Sequence, residues 1–92
     1  MEIFIPKYNS SDGVEIVLED DHDIECFFDN RFNEVVIRAN AIGMFSFARI
    51  LLQLAQDEVP EGETVHLDEN IFSNNNAVRI VIKKCADAEV QL

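Results

Sequence analysis

The chain has 92 residues, 48% of them apolar and 27% charged, which fits one globular domain with a single core and excludes a globally disordered chain. Eighteen acids against seven bases leave a net charge of −11. That field repels phosphates, so neither nucleic acid nor an anionic membrane is an expected partner. A basic protein surface is, with fast and salt-sensitive association.

In chain order, residues 2–6 read as a short strand ended by Pro6, whose ring removes a ladder donor. The start has an acid at position 2 and lacks the basic residues and apolar run of a signal peptide, so a cytoplasmic location is expected. "NSSDG" at 9–13 is a turn cluster. Val14, Ile16 and Leu18 alternate with Glu15 and Glu19, and Ile24, Cys26 and Phe28 alternate with Glu25, Phe27 and Asp29. Period two marks both runs as half-buried strands. A reverse turn at 29–33 then leads into "EVVIRA", for up to four strands before any helix.

A helix is predicted from Ala41 to about Asp57, with Asn40 as its N-cap. Ser46, Arg49, Gln53 and Gln56 recur at helical spacing and are expected to face water. Ile42, Phe45, Ala48, Leu52 and Ala55 would pack on the sheet, with Phe47, Ile50, Leu51 and Leu54 widening the apolar arc. Gly43 weakens the first turn, which calls for a close contact or an entry bend.

Pro60 and Gly62 stop the helix, and two strands follow, "ETVHLDE" and "AVRIVIKK", joined by "NIFSNNN". Val65, Leu67, Val78, Ile80 and Ile82 would face the helix; Thr64, His66, Asp68, Arg79, Val81 and Lys83 would not. The final "CADAEVQL" reads as an edge extension or a frayed tail. The expected fold is α+β: one domain over 1–92, with an amphipathic helix on a five- to six-stranded, mostly antiparallel sheet, in the order strands, helix, two strands.

Little in this pattern supports catalysis. Glycines at 13, 43 and 62 cannot form a phosphate-binding loop, and Ser46 lacks a nucleophile-elbow context. Cys26 and Cys85 form no Cys-x-x-Cys pair, so no zinc site or disulfide framework is expected and their thiol state is open. The run Asp20, Asp21, Asp23 and Glu25 lacks the central Gly and closing Glu of a calcium loop and reads as a solvated acidic rim. His66 and Asp68, two apart on a strand, share a face. They could seat a ligand or run acid–base chemistry, but two side chains do not make a metal centre. No catalytic residue, metal or cofactor is assigned. The reverse face of the sheet, with Val17, Phe27 or Phe28, Val36 and Val81 among Arg38, Arg79 and His66, is half-apolar and suits a partner or a homodimer.

One stretch carries a family resemblance. "IGMFSFARILLQLAQDEVPEGETVHLDE" is similar to a pattern in immunity proteins of bacterial polymorphic toxin systems. Its helix matches at Gly43, Phe47, Ala48, Leu51, Leu54 and Ala55, and is followed by Pro60, Gly62 and the strand His66, Leu67, Asp68. The apolar strand "AVRIVIKK" completes the likeness. Family members often carry a further His two residues before the one matched by His66; here Thr64 stands in its place. The resemblance implies a cytoplasmic protein that binds and neutralises a toxin, and the residues themselves lead us to expect a binder and not an enzyme.

Asp20, Asp21, Asp23 and Glu25 are therefore the expected partner-binding residues, with His66 and Asp68 as a second patch. The competing expectations are a small enzyme or metal module centred on His66 and Asp68, and a structural homodimer.

Overall fold

A computed structural model describes residues 4–11 and 13–87. Its elements are strands β1 (Ile24–Asp29) and β2 (Glu34–Ala39), helix α1 (Ala41–Leu54), and strands β3 (Thr64–Leu67) and β4 (Ile80–Lys83). The class is α+β and the order of strands, helix and two strands is as expected. The sheet is not. Instead of five or six strands in one sheet, the described residues form two antiparallel pairs, β1–β2 and β3–β4.

The reason lies at the edges of β1. One edge pairs with β2 in a register that sets Glu25 opposite Arg38 and Phe28 opposite Val35. The other edge is taken by an irregular segment. The Asn74 amide donates to the Cys26 carbonyl at 2.9 Å, and its oxygen accepts from the Cys26 N–H at 3.1 Å, reproducing a strand's two bonds with one side chain. Val78 N–H also donates to the Cys26 carbonyl, and Ser73 N–H to the Ile24 carbonyl. Both edges of β1 are thus occupied, and the N-terminal segment does not pair with it.

That segment is consequently not a strand, contrary to expectation, either at 4–6 or at 14–19. Residues 2 and 3 of the first expected strand, and residues 88–92 of the expected tail, lie outside the described residues. Among 9–13 the expected turn forms: Gly13 N–H donates to the Asn9 carbonyl at 2.9 Å, with Gly13 at a positive φ of 70°. Tyr8, Val14 and Leu18 lie against the core without a ladder.

A backbone without a ladder needs other partners, and α1 and the residue just beyond its C-cap supply them. Gln56 donates to the Pro6 carbonyl and accepts from the Tyr8 N–H. Arg49 donates to the Val17 carbonyl at 3.4 Å and pairs with Glu19 at 3.3 Å. The polar stripe expected in water is therefore turned inward. Ser46 and Gln53 are buried, and Ser46 returns its hydroxyl to the Ile42 carbonyl. Of the face expected against the sheet, Phe45, Leu52 and Ala55 are instead exposed. The helix also ends three residues early: Ala55 is its C-cap, with its N–H on the Leu51 carbonyl.

The core is made of Ile24 and Cys26 of β1, Ile50 and Leu54 of α1, Val65 and Leu67 of β3, and Val59, Ile71 and Phe72 from the connections. Ile80 and Ile82 flank it as expected. Lys84 clamps the chain after the helix, its Nζ donating to the carbonyls of Gln56 and Val59.

Candidate partner-binding surface

Residues 21–23 of the acidic run are held through their backbone. Asn40, which caps α1 by accepting from the Gly43 N–H at 2.7 Å, also accepts from the Asp23 N–H. Its amide donates to the Asp21 carbonyl, and its own N–H to the Asp23 carbonyl. One side chain thus fixes residues 21–23 to the start of the helix. His22 adds contacts from its N–H and ring Nδ1 to the Glu19 carbonyl.

The four expected acids then separate into two pairs. Asp20 and Asp21 are exposed, and their carboxylates take part in none of the described hydrogen bonds or ion pairs. Asp23 accepts from the Ser73 hydroxyl at 2.5 Å, and so ties the run to the segment along β1. Glu25 is paired with Arg38 across the β1–β2 ladder, the Arg38 Nε lying 2.9 Å from its carboxylate. That bond, with the Glu25 charge, holds the Arg38 guanidinium above its ordinary pKa. The composition announced an acidic rim but not the commitment of half of it. Ser73 and Arg38, the residues that engage those acids, gave no signal of their own in the sequence.

The second patch lies on the β3–β4 hairpin. His66 is exposed opposite Val81, and Thr64 Oγ1 lies 3.5 Å from its Nε2. Asp68 shares that end of the hairpin but has local work. Its carboxylate accepts from the Asn70 N–H, and its carbonyl from Ile71 and Phe72, forming the turn that sends both apolar residues into the core. His66 and Asp68, with Leu67, Arg79, Ile80 and Val81, line a shallow depression of about 240 Å³. Arg79 is engaged with Glu69 at 3.3 Å. Among the described residues no three His, Cys, Asp or Glu side chains converge as metal ligands would.

The two patches are connected. Asp68 opens the turn that ends at Ser73, and Ser73 holds Asp23. Five residues span at most ~18 Å. Cys26 is buried, which pushes its thiol pKa up, while Cys85 is exposed; neither is in a disulfide. No helix among the described residues is long and apolar enough to cross a membrane.

These features define a small acidic α+β domain whose candidate site is open surface on strand ends and connections. Residues 34–85, from β2 to the end of the second hairpin, match the family model described as immunity protein 32, and the chain belongs to that family. The match begins before the segment that carried the resemblance and takes in β2 as well. No curated protein and no solved structure matches it significantly.

Proposed function

We propose that this chain neutralises a cognate bacterial toxin in the cytoplasm by direct contact, laying its acidic rim on a basic face of the toxin rather than acting on it chemically. Family membership supports the class of activity. The observation that carries the mechanism is the pair Asp20 and Asp21: exposed, in no ion pair among the described residues, and next to a backbone that Asn40 anchors at Asp21 and Asp23. Carboxylates presented on a fixed backbone keep their place on binding, which lowers the ordering cost of association. The His66 and Asp68 patch is tied to the rim through the turn that Asp68 opens and the Ser73 hydroxyl on Asp23, and supplies a second contact in this interface. Asp23 and Glu25 act in this reading by shaping the rim through Ser73 and Arg38.

The test is co-purification of the tagged chain from its own host, followed by co-expression with the captured toxin and titration of the purified pair. Protection and a stoichiometric complex that weakens as salt rises are expected. A toxin that remains active in the presence of excess protein, or that is chemically altered by it, would refute the reading.

A further inference from the structure

The outer side of α1 points to a use that the acidic rim does not explain. Met44 and Phe45 are 59% and 38% exposed, and Leu51 and Leu52 are 39% and 49% exposed. They alternate with Ala41, Ala48 and Ala55 on the side of the helix away from the buried Gly43, Ser46, Ile50 and Gln53. The only charged residue of α1 is Arg49, which is turned inward with a side chain 12% exposed. The exposed stripe therefore carries no charge on a chain whose net charge is −11.

Its order is self-complementary. The three alanines recur at seven-residue spacing, as do Met44 with Leu51 and Phe45 with Leu52. This is the spacing of a helix-pairing seam. Counted outward from Ala48, the residues three away are Phe45 and Leu51, those four away are Met44 and Leu52, and those seven away are Ala41 and Ala55. A two-fold axis through Ala48 thus sets large residues against large and alanine against alanine. Such a match is what an isologous contact between two copies requires. Alanines at the crossing let helix axes approach to about 8 Å, the near end of the packing range. An antiparallel pair also aligns the helix dipoles favourably.

We infer that two copies of this chain pair through α1, antiparallel about Ala48, burying the Met44, Phe45, Leu51 and Leu52 stripe. The contact is small. A helix of fourteen residues is about 21 Å long, and a seam of that length falls below the ~1,200 Å² that separates transient from standard interfaces. The dimer is accordingly weak, forming at micromolar concentrations or above. Two copies of charge −11 repel each other, and salt screens that repulsion. Pairing therefore strengthens as salt rises, opposite in sign to binding of a basic toxin. The inference does not rest on the toxin reading, and its test needs no toxin.

The experiment is sedimentation equilibrium of the full chain from about 10 µM to 1 mM at low and high salt. A shift from 10.5 kDa toward twice that mass, larger at high salt, is expected. Ala48→Glu sets two carboxylates across the axis and should leave a monomer with an unchanged far-ultraviolet spectrum. In a Cys85→Ser background, Ala48→Cys should oxidise to a covalent dimer. Ala41→Cys and Ala55→Cys should crosslink to each other when mixed, faster than either does to itself. A monomer at all concentrations and both salts, a dimer that survives Ala48→Glu, or crosslinking without this register would each overturn the inference. So would Ala48→Glu abolishing toxin binding in a chain that is monomeric throughout, since the stripe would then seat the toxin.

Discussion

A Cβ on Gly43 would stand 2.5 Å from the Asp23 carbonyl oxygen and 2.8 Å from Ile24 Cγ1. The first turn of α1 therefore rests directly on the chain that enters β1, where the acidic run ends. Only a residue without a side chain allows this approach, which is the close contact that a glycine in a helical first turn implied.

Gly43→Ala is accordingly expected to destabilise the fold. Helix propensity alone would favour alanine by up to ~1 kcal/mol. Overpacking against a backbone carbonyl costs about 1–3 kcal/mol and cannot be relieved by a rotamer change. A net loss of about 1–2 kcal/mol in urea unfolding is the expected result, and a gain in stability would show that the helix does not sit this close.

Asn74 stands in for a strand, and Asn74→Leu tests that role. The substitution leaves the N–H of buried Cys26 without its partner at 3.1 Å, a loss of about 1–3 kcal/mol. Neighbouring Asn75 is exposed, and Asn75→Ala should stay within about 0.5 kcal/mol of the parent. Equal effects at the two positions would show that the edge of β1 is held by something else.

Tyr8 is the sole tyrosine, so its titration can be read directly at 295 nm. Partial burial, the hydrogen bond from its hydroxyl to Glu63 at 3.0 Å, and the Glu63 charge all raise its pKa above the ordinary value near 10. A raised phenol favours the folded state while protonated. That contribution is complete below pH ~10 and is lost as pH rises through the folded-state value. Glu63→Gln should move the midpoint part of the way back, because burial, the largest cause, remains. A midpoint at the model-peptide value in the parent protein would show that Tyr8 does not bridge to Glu63.

Much of this was legible in the sequence, and the misses share a cause. Asn40, the helix, both hairpins and the inward set Val65, Leu67, Ile80 and Ile82 were readable because local chemistry and period determine them. The sheet was misjudged because alternation at Val14, Ile16 and Leu18 says a segment could pair, not that an edge is vacant. Asn74 had filled the edge, and side-chain mimicry of a strand has no periodic signature. The helix was turned the wrong way for the same reason. Ser46, Arg49, Gln53 and Gln56 form a polar stripe, and water is its usual partner, but Arg49 and Gln56 serve the backbone of residues 6–17. In the candidate site the acids were plain to see, whereas the capture of Asp23 by Ser73, fifty residues away, depends on tertiary structure.

The partner mechanism is tested at Asp20 and Asp21, because reversing them disturbs nothing else described. Asp23→Lys would remove the Ser73 contact, and Asp68→Ala the turn to Ile71 and Phe72, so neither separates binding from folding. The double change Asp20→Lys, Asp21→Lys shifts the net charge by four units, from −11 to −7, and leaves the Asn40 bonds intact because those use main-chain atoms. Rim charges act chiefly on encounter, so association with the toxin domain should slow about tenfold or more at low salt. Dissociation should change about threefold or less. At 1 M salt, where screening shortens to ~3 Å, the parent and the variant should converge. His66→Ala, at an exposed strand position, should affect dissociation if the second patch is in contact. Stopped-flow binding across a salt series measures all of these. An affinity independent of salt, or a toxin with an acidic contact face, would remove the electrostatic mechanism and leave the family assignment standing without it.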